Sequence, residues 1–120
     1  MTESQTPAAA RIRALNDALR TSRDPFEALI MNGTLVVTEA VALCGEPFVS
    51  HAVAAVRTFA AFDGDNDPWQ EHDMAFLEVD GERIFFKVDY YDPELRYLSA
   101  DPSNPEITRR VLTIGLASDY

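Results

Sequence analysis

Apolar residues recur at helical spacing in three parts of the chain, and each part opens with a cap-like residue followed by proline. Proline suits the first position of a helix because its missing N–H would have no partner there. The residues before these prolines are Thr6, Glu46 and Asn104. The pattern predicts three helices, over about 7–21, 47–62 and 105–118.

The third helix is predicted from the four-three spacing of Ile107, Val111 and Ile114, which places Arg109 and Arg110 on the outward face. This assignment makes the C-terminal segment a surface helix with a basic outer side.

Two stretches indicate strands. Residues 34–38 are rich in β-branched side chains and follow an Asn-Gly turn signal. The preceding segment, 26–31, fits either a hairpin arm across that turn or a short helix capped by Asp24, and we expect the helix. A further edge strand near 95–98 is compatible with the pattern.

The clearest element is a hairpin over about 74–91. Asp80-Gly81 favours a two-residue turn with positive φ at both positions, which fixes the register of the two strands. Leu77 then faces Ile84, and Met74 faces Lys87. The apolar face of the hairpin comprises Ala75, Leu77, Val79, Ile84, Phe86 and Val88.

Length and patterning together predict one α+β domain. A chain of 120 residues is long enough to bury a hydrophobic core without help from disulfides or a structural metal. We expect a flexible N-terminus over 1–6 and a single domain over 7–120. The domain would hold a small antiparallel sheet, built from the hairpin about 74–91 and the strand about 34–38, with the three helices packed on one face.

Negative charge is concentrated in the second half of the chain. The net charge is −10, and residues 61–120 carry fourteen acids against five bases. Such a protein is repelled by nucleic-acid phosphates and by anionic membranes, so we expect no direct nucleic-acid or membrane partner. Solubility alone is the other interpretation.

The densest acidic segment is 63–73, which we name the acidic loop. Its carboxylates at Asp63, Asp65 and Asp67 resemble the start of a calcium loop. Pro68 and Met74 occupy the positions where an EF-hand needs glycine and glutamate, so an EF-hand is excluded. A weak divalent-cation site at these three aspartates and a solvated loop both stay open.

The hairpin register, continued outward, places His72 opposite Asp89. A carboxylate beside imidazole could orient it for acid–base or metal chemistry, together with Glu71, Asp73 or Asp92. The same pair could instead only pin the loop to the sheet, and we favour this structural role because no nucleophile with a base partner is visible.

Two aromatic residues accompany the acids. By strand alternation Tyr90 joins the core face, while Tyr91 lies beside Asp89. Trp69, the only tryptophan, could bind a cationic group or fold back over the sheet. The predicted binding surface therefore comprises Asp63, Asp65, Asp67, Trp69, Glu71, Asp73, Tyr91 and Asp92.

Familiar enzyme signatures are missing from the sequence. There is no glycine-rich phosphate loop, zinc motif, nucleophile elbow or dinucleotide fingerprint, and no cofactor is expected. The single cysteine, Cys44, indicates a reducing, cytoplasmic setting and is expected to be buried and inert. His51 is the only other histidine.

Three blocks resemble the signatures of a small bacterial family of unknown function that is frequent in alphaproteobacterial genomes and plasmids. They are Asn-Asp-Pro-Trp-Gln-Glu-His-Asp at 66–73, Phe-Phe-Lys-Val-Asp-Tyr-Tyr-Asp at 85–92, and Thr-Arg-Arg-Val-Leu-Thr-Ile at 108–114. The family pattern has glycine in place of Gln70, glycine near Ala75 and tryptophan near Phe86. The resemblance implies a bacterial setting but no activity.

These observations predict a non-enzymatic, cytoplasmic protein-binding module that uses its acidic face on a partner with a basic surface. The partner could belong to nucleic-acid-handling or defence machinery, with the module carried by a mobile element. The alternatives are a small enzyme or metal-binding protein centred on His72 and Asp89, and an antitoxin-like regulatory partner. Either a monomer or a homodimer is compatible with the sequence.

Overall fold

The computed structural model describes residues 6–120. Residues 1–5, and with them most of the predicted flexible N-terminus, lie outside the described residues. The elements are α1 (Pro7–Thr21), α2 (Pro25–Ile30), β1 (Gly33–Val37), α3 (Glu39–Leu43), α4 (Phe48–Thr58), β2 (Met74–Val79), β3 (Glu82–Tyr91) and β4 (Arg109–Leu116). Short 3-10 turns, Pro105–Ile107 and Ala117–Asp119, flank β4.

The predicted α+β class is confirmed, with one four-stranded sheet in the order β1-β4-β3-β2. The sheet is mixed rather than purely antiparallel, because β1 runs parallel to β4 while the other two pairs are antiparallel. A parallel pair needs a crossover, and the segment between β1 and β4 supplies it.

The hairpin was predicted correctly to the residue. Leu77 pairs with Ile84 and Met74 with Lys87 across the Asp80-Gly81 turn. Both turn residues have positive φ, 51° at Asp80 and 82° at Gly81. The core face is also confirmed, since Ala75, Val79, Ile84, Phe86 and Val88 are buried and Leu77 packs against them.

The predicted third helix is wrong, because the C-terminal segment forms strand β4 in the middle of the sheet. The Asn104 cap is present, with its side chain accepting from Glu106 N, but it opens only a 3-10 turn. Arg110, Leu112 and Ile114 then alternate inward and are fully buried. Arg110, expected on the surface, lies in the interior.

The first helix matches its predicted bounds, and Thr6 caps it through a bond from Ala9 N. Helix α4 ends at Thr58, earlier than predicted, and α3 had not been predicted. The helical alternative for 26–31 is confirmed by α2. Near 95–98, only an isolated bridge from Tyr91 to Leu98 forms.

Helices α1, α3 and α4 supply buried residues to one core with the sheet: Leu19, Val41, Phe48, Ala52 and Val56. None of the helices within 6–120 is long and apolar enough to cross a membrane. Cys44 is exposed in the turn that ends α3, so the prediction of a buried thiol is wrong.

Candidate functional site

The acidic loop, between α4 and β2, is folded by its own polar side chains. Asp63 Oδ1 accepts from the backbone N–H groups of Asp65 and Asn66 at 2.9 and 3.0 Å. Asn66 Oδ1 accepts from Asp63 N at 2.8 Å, and its amide donates to the Ala61 carbonyl at 2.9 Å. These short-range bonds give the loop one defined shape.

Asp67 forms the floor of the loop and does not belong to its surface. It is only 4% exposed, and its Oδ1 accepts from the backbone N–H groups of Glu71 and His72, each at 3.1 Å. The predicted surface role of Asp67 is therefore wrong. Gln70 has φ 59°, a left-handed conformation that favours glycine, yet the turn forms with glutamine in this place.

His72 does not pair with Asp89, so the predicted cross-strand pair is wrong. The hydrogen bonds between β2 and β3 continue as far as Asp73, whose carbonyl accepts from Val88 N at 2.8 Å. At His72 the backbone is left-handed, with φ of 55°, and this conformation turns the side chain away from the sheet. Asp89 instead pairs with Lys87, with Oδ2 and Nζ 3.2 Å apart.

The partner of His72 is Asp17 of α1, which sequence reasoning missed. Nδ1 lies 2.9 and 3.1 Å from the two carboxylate oxygens of Asp17, and Nε2 lies 3.6 Å from Asp67 Oδ2. The imidazole stacks on the Phe62 ring, with centroids 3.9 Å apart and an interplanar angle of 5°. These contacts fasten the acidic loop to α1 and support the structural role for His72.

A buried polar network lies beneath the loop. Arg110 Nε donates to Asn16 Oδ1 at 3.0 Å, and Nη2 donates to the Pro102 carbonyl. Asn16 Nδ2 donates to Tyr90 Oη at 2.8 Å and to the Glu71 carbonyl at 3.0 Å. Asn16 and Arg110 are fully buried, so the network joins α1, β3, β4 and the loop at one point.

Burial shifts the pKa values of the network residues and of the loop residue Asp73. Burial raises the pKa of Glu71, and Asp73 and Asp67 add to the rise, while the bond from Tyr90 opposes it. Burial also raises the pKa of Asp73, with Asp67 and Asp89 contributing. Burial lowers the pKa of Arg110 and raises that of Tyr90. The loop therefore holds carboxylates that resist ionisation more than free ones do.

Glu71→Gln is expected to stabilise the protein at neutral pH. The folded-state pKa of Glu71 lies above its ordinary 4.5, so folding penalises the ionised form, and stability falls as pH rises through the window above 4.5. Glutamine removes this penalty and still accepts the bond from Tyr90. The gain in melting temperature should be largest near neutrality and vanish below pH 4.5.

Thermal unfolding followed by circular dichroism across this pH range measures the effect. Exposed Glu94, replaced by glutamine, is the control and should show no such pH-dependent gain. A destabilised Glu71→Gln at neutral pH would contradict the assignment, since attraction to Arg110 would then outweigh burial.

A small open pocket of about 240 Å³ adjoins His72. Its polar lining includes Arg13, Asp63, Asp67 and Gln70, and Phe62 forms its apolar side. Among residues 6–120, no three His, Cys, Asp or Glu side chains are placed to hold one metal ion. His51, the other histidine, contacts Asp80 at the hairpin turn, with Nδ1 and Oδ2 2.6 Å apart.

The remaining predicted surface residues are spread over two regions. Trp69 is 76% exposed on the acidic loop, so it does not fold back over the sheet. Tyr91 is the last residue of β3, and Asp92 follows it. The Asp92 Oδ1 accepts a hydrogen bond from the Arg96 backbone N–H at 2.9 Å. Of the predicted surface residues on the loop, Trp69, Asp63 and Asp65 are therefore the exposed ones.

Comparison with known proteins gives one result. A model of the family described as "Protein of unknown function (DUF3768)" matches residues 37–119. The search of curated proteins and the search of solved structures found no match. The family match spans the acidic loop, the hairpin and β4. Because it covers more than half of the chain, the protein belongs to the DUF3768 family, whose function is unknown.

Proposed function

We infer that the protein is a non-enzymatic binding module that docks its acidic loop on the basic surface of a partner protein. The observation that carries this proposal is Trp69, which is 76% exposed on the same loop as the exposed residues Asp63 and Asp65. A large indole left in water forgoes the free energy of burial. Tryptophan is also the residue type most enriched at binding hot spots, where it pairs with arginine.

The loop is built to present these groups with little loss of entropy on binding. The side chains of Asp67 and Asn66 fix its backbone through hydrogen bonds, and His72 ties it to α1. A segment that is already ordered loses less conformational freedom when a partner binds. Because the exposed acids of the loop, Asp63 and Asp65, have no lysine or arginine within the loop, a partner with positive charge would complement them.

A nucleic-acid-handling protein provides such a surface, because its binding groove is lined with cations that neutralise phosphates. The carboxylates of the loop would occupy that groove and inhibit the enzyme or defence complex. A module of this kind would act in the bacterial cytoplasm and could be carried by a mobile element. An antitoxin-like regulator would use the same electrostatic contact on a toxin.

Trp69 also provides the test, because it is the only tryptophan and its fluorescence reports directly on the loop. An arginine-rich peptide, titrated at low salt, should shift and saturate the emission. The affinity should fall at least about tenfold when the salt rises to about 0.5 M, since screening weakens contacts between exposed charges.

The double variant Asp63→Asn with Asp65→Asn should weaken peptide binding about tenfold or more, as expected for a charged contact at a hot spot. The matched control, Glu27→Gln with Glu39→Gln, removes two exposed carboxylates elsewhere and should bind like the wild type. If both double variants weaken binding equally, only net charge matters and the loop is not the site.

A further inference from the structure

Strand β2 lies at the edge of the sheet and is hydrogen-bonded to β3 on one side. The bond from Val88 N to the Asp73 carbonyl marks that pair as hydrogen-bonded. Bonded and non-bonded pairs alternate along an antiparallel ladder. The backbone N–H and C=O groups of Met74, Phe76 and Glu78 therefore point away from β3, off the edge of the sheet.

Apart from the charged side chain of Glu78, this edge lacks the usual protection against a further strand. Natural edges are blocked by proline, lysine, a bulge or a covering segment. Strand β2 reads Met-Ala-Phe-Leu-Glu-Val, and its pairing with β3 is regular. Within 6–120, no hydrogen bond reaches its outward backbone groups, and Phe76 and Glu78 are exposed.

Negative charge flanks the edge at both ends. The acidic loop, ending at Asp73, leads into β2, while Asp80 and Glu82 follow it at the turn. Strand β2 therefore separates two groups of acids. Two copies paired antiparallel through β2 would set the acidic turn of one against the acidic loop of the other, so charge disfavours a second copy.

Resting on the proposed function, we propose that the basic partner binds β2 as an extended segment and adds a strand to the sheet. Its main chain would bond the outward groups of Met74, Phe76 and Glu78, which is the mode of β-strand addition. Its arginine or lysine side chains would lie beside Glu78 and the acids at both ends. The main-chain bonds supply affinity, and the charges select a basic sequence.

Amide hydrogen exchange measured by NMR tests the geometry, with a capped peptide of alternating arginine and valine as the probe. In the free protein, the amides of Phe76 and Glu78 should exchange quickly, while those of Ala75 and Leu77 are protected by β3. Saturating peptide should slow exchange at Phe76 and Glu78 at least about tenfold, as expected for amides that become ladder-bonded.

Two N-methylated forms of the peptide separate strand addition from simple charge attraction. In each form, every second backbone amide of the peptide is methylated. In one form the methyl groups lie on the peptide edge that faces β2, and in the other they lie on the peptide edge that faces solvent. One form should lose binding at least about tenfold and the other should retain it, because only one set of amides enters the ladder.

Glu78→Pro and Glu78→Ala form a matched pair of variants. Both remove the carboxylate, but only proline removes the outward N–H, and an edge position of this kind tolerates proline. Peptide binding should be at least about tenfold weaker in the proline variant than in the alanine variant. If the proline variant does not fold, the two methylated peptides still distinguish strand addition from charge attraction.

The outcomes distinguish the two proposals. Equal, salt-sensitive binding of both methylated peptides would overturn strand addition and leave the acidic module standing. Failure of every basic peptide to bind at low salt would overturn both. Protection of Phe76 and Glu78 that rises with protein concentration alone, with a dimer in solution, would show that a second copy occupies the edge and would overturn the basic occupant.

Discussion

Replacing Arg110 by alanine is expected to lower the free energy of unfolding by about 2–5 kcal/mol, since two buried acceptors lose a charged donor. Asn16 Oδ1 and the Pro102 carbonyl would lose their donor, and the space beside the Tyr90 ring would be empty. Buried acceptors without partners are costly because water cannot replace the lost bond. Urea denaturation followed by circular dichroism measures the change.

Arg109→Ala is the matched control, because Arg109 is the preceding residue on the same strand but faces the other side of the sheet and is half-buried. It should cost less than about 1 kcal/mol, as ordinary surface substitutions do. Equal losses in the two variants would show that the Arg110 network contributes no special stability.

The hairpin could be predicted because its determinants are local. Asp80-Gly81 selects the turn, the turn fixes the pairing, and alternation then assigns each side chain to a face. Nothing outside 74–91 is needed for this reasoning. The observed register, with Leu77 opposite Ile84, follows from those residues alone.

The C-terminal segment could not be assigned in the same way, because its pattern satisfies two periods. Ile107, Val111 and Ile114 fit a helix, while Arg110, Leu112 and Ile114 fit a strand. The decision depends on long-range partners, since β4 lies between β1 and β3. Fully buried Arg110 also breaks the expectation that charged residues lie outside.

The site was predicted only in part, because its partners come from a distant helix. His72 was identified, but the left-handed conformation at His72 redirects it from Asp89 to Asp17. A signal for α1 was present in the sequence: Asn16 follows Ile12 by four residues, on the stripe that Leu19 continues. A polar residue on an apolar stripe indicates a buried hydrogen-bond network.

The two halves of the site have different tasks. Asn16, Arg110 and Tyr90 form an interior network that contacts the loop through Glu71. Trp69 and the exposed aspartates are carried on the outer side of that loop. The interior residues determine where the loop lies, and the exposed residues determine what can bind there. A substitution in the interior should therefore alter the affinity for a partner that contacts only the exposed residues.

Arg20→Ala tests that coupling. Arg20 is buried, and its Nη1 donates to the carbonyls of Val56 and Phe59 at 2.9 and 2.7 Å, at the C-terminal end of α4. Its guanidinium also lies over the rings of Phe62 and Phe86, at 5.2 and 5.5 Å from their centroids. Removing it should cost about 3 kcal/mol, since two carbonyls lose a charged donor.

The same substitution should loosen the acidic loop, because Arg20 and His72 share Asp17 and both contact Phe62. Trp69 fluorescence should then report weaker binding of the arginine-rich peptide, although Arg20 itself is too deep to touch the peptide. Exposed Arg23, replaced by alanine, carries the same charge change and should preserve both stability and binding. An Arg20→Ala protein that is destabilised but binds the peptide normally would show that the loop keeps its shape without this anchor.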